Sequence, residues 1–228
     1  IKYDYANSNM LGTDGDYNAG TFTASSYPTY RGSHTTINRY HWNKQTATNT
    51  WSESGLNTIN LNTNYINYLN GIDTKWANMI ASHDYQVGGN TWTNLITTVG
   101  KQKYENELVN PATADVEHAK IGLMYVSDYG YAADPSYWTT EMYREDAQDY
   151  RLATTSNWMY MGLWEWTISR NSSSTNYAFY VYYTGYVNNY NYDYVTYSAA
   201  VRPVFYLASN VAYAGGNGTV NSPIRLSA

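Results

Sequence analysis

Between Tyr177 and Tyr197 the chain places nine tyrosines in twenty-one residues, with no Lys, Arg, Glu or Gln among them. They are Tyr177, Tyr180, Tyr182, Tyr183, Tyr186, Tyr190, Tyr192, Tyr194 and Tyr197. A phenol ring is rigid and amphipathic, so it packs, stacks and hydrogen-bonds over a large area while losing little conformational entropy. The chemistry of such a run is non-covalent recognition, and Asn176, Asn188, Asn189 and Asn191 add amides that donate and accept. These thirteen residues form the predicted ligand-contacting set.

Residue types suited to catalysis or metal binding are present but poorly arranged. Glu105 and Glu107 stand two apart, sharing a face on a strand and diverging on a helix. A carboxylate pair can serve as acid and base in glycoside hydrolysis, which would require two of Glu105, Glu107, Asp128, Glu141 and Glu165 to meet across a cleft. Salt bridging or hydrogen bonding to loops is the plainer role for each. The histidines His34, His41, His83 and His118 show neither a metal-ligand spacing nor a triad pattern. Asp14-Gly15-Asp16-Tyr17-Asn18 resembles the start of a calcium loop, but its glycine is displaced to Gly20 and the terminal Glu is missing, so a solvated turn is the default. No catalytic residue, metal or cofactor is expected, and the chain reads as a non-enzyme.

Composition narrows the partners. Charged residues make up only 14%, with a net charge of −5 and a pI near 5.2, so the clustered cations that phosphate backbones require are lacking. Nucleic acid and anionic membrane surfaces are therefore poor partners. No apolar run approaches the roughly twenty residues of a membrane span, so no membrane insertion is expected within this segment. Cysteine is absent, which leaves loops to be held by packing alone. Residue 1 is Ile, compatible with a trimmed or processed product whose signal peptide or pilin-like anchor helix has been lost.

A frame must position the tyrosines. Phe179 and Val181 alternate with Tyr180 and Tyr182, the period of a half-buried strand, which predicts Phe179 and Val181 inward and the tyrosines outward. Thr184-Gly185 then makes a turn, with Val187 and Val195 as the next inward anchors. Asn60 to Ala81 predicts two amphipathic helices meeting near Gly71-Ile72-Asp73, with Leu61, Tyr65, Tyr68, Leu69, Ile72, Trp76, Met79 and Ile80 facing the core. Trp158 and Trp166 are expected to pack beneath the tyrosine face and Trp164 to be partly exposed. Arg202 is expected to pair with Asp128 or Glu165 and pin the ends of the stretch. Pro203 requires an edge or a bulge. Gly215 to Thr219 predicts a hairpin before a closing strand near Ile224 to Leu226. The division expected is residues 1–50 as an irregular N-terminal extension and 51–228 as the ligand-binding domain.

Codon arithmetic adds a further signal. If Asn codons (AAC or AAU) are rewritten only at adenines, Tyr, Ser, Thr, Asp, Ala, Gly, Val and Phe are reachable while Lys, Glu, Gln, Met and Trp are not. Those five types occur 31 times in the chain, yet residues 171–200 contain none, against about four expected from composition. Residues 201–228 also lack them, so the signal is modest.

The succession of EWTI (Glu165–Ile168), an Asn/Ser-rich run, AF, V, a Gly, spaced valines and VRPVFYL (Val201–Leu207), preceded by KIGLMYVSDYGYA (Lys120–Ala132), resembles the variable proteins of diversity-generating retroelements and undiversified bacterial surface proteins of the same type. The resemblance covers roughly residues 56–226, including VGGNTW and YENE upstream and GGNGT near the end. It implies an α+β, C-type-lectin-like fold with two helices around small mixed or antiparallel sheets and long loops. It also implies adenine-directed rewriting of ligand-facing codons over a fixed skeleton, and an adhesin-like protein that is extracellular, on a cell surface or on a phage particle. Its partner would be a protein or glycan receptor, with a pilus or surface-layer subunit that self-associates through the same face as the alternative. The Glu-Pro-Asn and Trp-Asn-Asp motifs of calcium-dependent sugar sites are missing, and the lack of cysteine argues against the cysteine-nucleophile enzymes of similar fold.

Overall fold

Two short strands lie within the first fifty residues. The computed structural model describes residues 5, 17–111, 115–143, 150–188 and 194–227. In it β1 (Tyr17–Thr23) pairs antiparallel with β2 (Thr36–His41), with a register irregularity between Asn18 and Thr21. Ile37 and Tyr40 of β2, and Trp42 just after it, are fully buried. The early segment thus contributes to the core, and its register comes from long-range pairing that local periodicity does not encode.

A π-helical stretch, Leu56–Tyr65, runs into α1 (Ile66–Ile72), and α2 (Thr74–Asn78) follows. Between them Asp73 is extended and its carboxylate accepts from the Lys75 amide at 2.9 Å, so the predicted break is a capped restart. Leu61 and Ile80 are buried as expected. Tyr68, Ile72 and Trp76 are not: Ile72 is 57% and Trp76 49% exposed. Helical spacing identifies an apolar stripe, but it does not say whether another element covers it.

The chain continues through β3 (Ile80–Ala81), β4 (His83–Val87), α3 (Trp92–Thr97), α4 (Gly100–Tyr104), a π-helical turn (Glu105–Val109), β5 (Asp115–Ala119) and β6 (Ile121–Gly122). After α5 (Val126–Tyr131) come β7 (Glu165–Arg170), β8 (Ala178–Val181), β9 (Val187–Asn188) and β10 (Ser198–Ala199). The chain closes with β11 (Val204–Leu207), β12 (Ala212–Gly215) and β13 (Arg225–Ser227). Pro203 sits just ahead of β11, outside its ladder. The architecture is mixed α+β with small antiparallel sheets ordered β1-β2-β10, β3-β11-β6, β7-β8-β9, β4-β5 and β12-β13. No described helix is long and apolar enough to cross a membrane.

Strand β8 explains much of the rest. Ala178 and Tyr180 belong to one hydrophobic cluster, with Trp42, Trp166 and Val195, whereas Phe179 and Val181 belong to another with Tyr129, Met142 and Val187. Both faces of the strand are covered, so all four residues are buried. Alternation assigns one face to solvent only when nothing packs on that face.

Candidate functional site

The tyrosine stretch begins on a loop held from several sides. Asn49 Nδ2 donates to the carbonyls of Asn171, Ser174 and Tyr177 at 2.9 to 3.0 Å. The Ser172 amide donates to the Asn90 carbonyl at 2.8 Å, and the Ser172 hydroxyl accepts from the Gly89 amide at 2.8 Å. This pinning fixes where the chain enters β8. Asn49 was not among the residues singled out from sequence; only its contacts across more than 120 positions mark it.

Beyond β8 the chain turns at Tyr182 to Gly185, where the Gly185 amide donates to the Tyr182 carbonyl at 2.8 Å. Gly185 has φ +107°, and a Cβ there would lie 2.1 Å from Thr154 Cγ2, so the turn needs glycine on both counts. Two buried phenols brace it from below: Tyr129 donates to the Gly185 carbonyl and Tyr160 to the Tyr183 carbonyl, each at 2.7 Å. Tyr177 and Tyr194 bridge antiparallel across the far side of the stretch. Val195 is fully buried, its amide donating to the Asn176 carbonyl at 3.1 Å.

On this frame the predicted contact residues separate into groups. Tyr194 and Tyr197 are 38% and 43% exposed, and Tyr177 and Asn176 are half-buried beside them. Their rings form a surface group, with Tyr177 to Tyr194 at 4.6 Å and Tyr194 to Tyr197 at 5.9 Å between centroids. Tyr182 and Tyr183 are half-buried. Tyr180, at 2% exposure, corrects the expectation of an outward ring: it meets Trp166 edge-on at 5.9 Å and lies within the core. Tyr186 and Asn188 are likewise buried, where β9 pairs beside β8 in the same sheet and the Val187 amide donates to the Met142 carbonyl at 2.8 Å. Asn189, Tyr190, Asn191 and Tyr192 lie outside the described residues.

Further aromatic residues extend the face, and of these the sequence pointed only to Trp164. Trp164, half-buried as predicted, lies near-parallel to Tyr182 at 5.6 Å. Tyr27, from the segment between β1 and β2, meets Tyr183 edge-on at 5.8 Å, and Tyr143 meets Tyr186 at 6.2 Å. Trp158 was expected in the core but is exposed. Gly162 (φ +75°) allows the early segment to approach, since a Cβ there would lie 2.4 Å from the Thr29 carbonyl oxygen.

The carboxylates are occupied within the fold. Glu107 is fully buried, accepting from the Ser127 amide at 3.0 Å and from the Ser169 hydroxyl. Burial pushes its carboxyl above the usual range, and these hydrogen bonds pull it back. Glu105 faces outward toward Lys101 at 3.8 Å. Asp128 accepts from the Tyr125 amide at 2.9 Å, capping α5. Arg202 therefore pairs with the other predicted partner: its Nε and Nη2 both donate to buried Glu165, the latter at 2.9 Å, and the Tyr5 hydroxyl donates to the same carboxylate at 3.1 Å. Burial also lowers Lys103 to about 8, against the pull of Glu107 and Glu141. His118 lies 2.6 Å from Asp84 on the surface, and His83 stacks on Tyr206 at 3.8 Å. Among the described residues no three His, Asp or Glu side chains gather in a way that could hold a metal ion. The chain matches no protein-family model, no curated protein and no solved structure.

Proposed function

We propose that this chain is a surface-displayed receptor-binding protein of adhesin type, without catalysis. Its tyrosine- and asparagine-rich face at 171–200 is a retroelement-diversified binding site for a protein or glycan ligand, carried on a C-type-lectin-like domain. The observation that carries this reading is the exposure of Tyr194 and Tyr197, with Tyr177 half-buried beside them and Tyr182 and Tyr183 half-buried beside Trp164, above a frame of buried Ala178, Phe179, Val181, Val187 and Val195. Sequencing the gene across a population tests it. The expected pattern is change confined to adenines of the exposed codons, with a nearby copy carrying Asn codons there. Variation spread equally over Phe179, Val181 and Val187 would remove the reading.

A second reading, a pilus or surface-layer subunit that assembles through the same face, gains from apolar residues exposed elsewhere that could add contacts between copies: Ile72 and Trp76 on the helices, and Phe205, Tyr206 and Leu207 on β11. Under it, oligomers grow with concentration and dissolve when those side chains are made polar.

A further inference from the structure

Arg39 stands at the margin of the proposed binding face in an unusual setting. It comes from β2 and lays its guanidinium over the ring of Phe22, 5.1 Å from the centroid. Phe22 meets Tyr27 at 5.4 Å and Trp164 at 6.2 Å, both edge-on, and Tyr27 meets Tyr183. The cation is therefore within two rings of the tyrosines at 182 and 183. Its field also reaches the Tyr27 phenol, whose pKa is raised by burial and drawn back by Arg39.

The other arginines beside these elements are committed. Arg202 is bonded to Glu165, Arg170 lies 3.0 Å from Asp115, and Arg31 donates to the Thr154 carbonyl at 2.9 Å. Arg39 Nε, by contrast, is buried without a hydrogen-bond partner, and no described carboxylate pairs with the residue, which remains partly exposed. A guanidinium is always charged, and when its face is stacked on a ring its donors remain in the plane, where they fit a carboxylate. Residues 171–188 and 194–200 contribute no charge to compete for such a group. In a chain of net charge −5, the charge that the described residues bring to this margin is the Arg39 cation.

The aromatic geometry indicates what carries the carboxylate. Among the described residues Tyr182 packs against Tyr183 at 4.5 Å, Tyr186 at 4.8 Å, Trp164 at 5.6 Å and Tyr180 at 6.4 Å. Rings packed on one another spend their electron-rich faces internally and offer electropositive edges and hydroxyls to a ligand. Such a rim suits the carbonyl and carboxylate oxygens of a polypeptide better than a sugar ring, which needs an open aromatic face. We infer that the ligand of this face is a protein surface bearing an Asp or Glu side chain, whose carboxylate docks on Arg39 beside Tyr27 and Tyr183. This inference rests on the receptor-binding reading above.

The test selects random peptides on phage against the wild-type protein, Arg39→Gln, Arg31→Gln and Tyr197→Ala, with acidic and neutral glycans arrayed in parallel. Urea unfolding first establishes that each variant is folded. Wild type and Arg31→Gln are expected to enrich peptides containing Asp or Glu, and Arg39→Gln to lose that bias. A selected acidic peptide should bind Arg39→Gln about tenfold more weakly, the scale of a lost charge-assisted bond. Enrichment of neutral peptides, an acidic bias that survives the loss of Arg39, no enrichment at all, or capture of acidic glycans alone would each overturn it. Neutral peptides whose binding depends on Tyr197 would sink the role of Arg39 and leave the receptor-binding reading standing; no binding that depends on any residue of the face would sink both.

Discussion

Two aromatic regions of this molecule exchange the roles that their patterns suggest. The run from Tyr177 to Tyr197 alternates as though one side faced water, yet Tyr180 and Tyr186 are core residues. The helices from Leu61 to Asn78 carry a stripe spaced for burial, yet Tyr68, Ile72 and Trp76 are exposed. The difference lies in what covers each element. Strand β8 lies between two hydrophobic clusters, whereas α1 packs only Ile66 and Leu69 against the margin of one, and no described residue of α2 joins either. Periodicity describes an element's own two sides, and burial is decided by its neighbours.

The largest effect that can break this comparison is alkaline. Burial raises the phenols of Tyr5, Tyr40, Tyr85, Tyr125, Tyr129 and Tyr150 above their ordinary value, so the folded rings keep protons that the unfolded chain loses near pH 10. Stability from this source is full below about pH 10 and falls as pH rises beyond it. Beyond the gradual rise that surface phenols give, a further step in phenolate absorbance should therefore coincide with unfolding followed by circular dichroism. Complete ionisation of the tyrosines in a still-folded protein would mean that the buried rings are accessible after all.

Truncating single tyrosines sharpens the contrast. Tyr180→Ala leaves a ring-sized cavity among Trp166 and its neighbours and should cost about 3 to 5 kcal/mol in urea unfolding. Tyr197→Ala should stay within about 0.5 kcal/mol. Once a receptor is in hand the order reverses: loss of an anchor such as Tyr194 or Tyr197 should weaken binding by about 2 kcal/mol, roughly thirtyfold. Equal stability losses at 180 and 197 would erase the distinction between frame and coat.

The smallest effect belongs to the helices. Ile72→Ser and Trp76→Ser should change monomer stability by no more than about 0.5 kcal/mol, because both side chains already face water. A larger loss, accompanied by a fall in sedimentation coefficient, would show that a second copy covers this stripe.

What could be read from the residues alone was local or charge-driven. The helix break at Asp73, the turn at Gly185 and the pairing of Arg202 with an acidic residue follow from backbone chemistry and from the cost of burying an unpaired cation. The half-buried Trp164 was also legible. Pairing across long separations was not. Nothing near Thr36 announces that β2 will receive β10 from residue 198, and nothing near Asn49 announces its hold on Asn171, Ser174 and Tyr177. The aromatic contribution of Tyr27 remained hidden for the same reason.

The central claim is that a buried frame carries an exposed aromatic coat, and residue-resolved hydroxyl-radical footprinting of the native protein tests it most directly. Tyr194 and Tyr197 should oxidise fast and Tyr182 and Tyr183 at intermediate rates, while Tyr180 and Tyr186 stay protected until the protein unfolds. Comparable rates at Tyr180 and Tyr197 in the native protein would contradict the account.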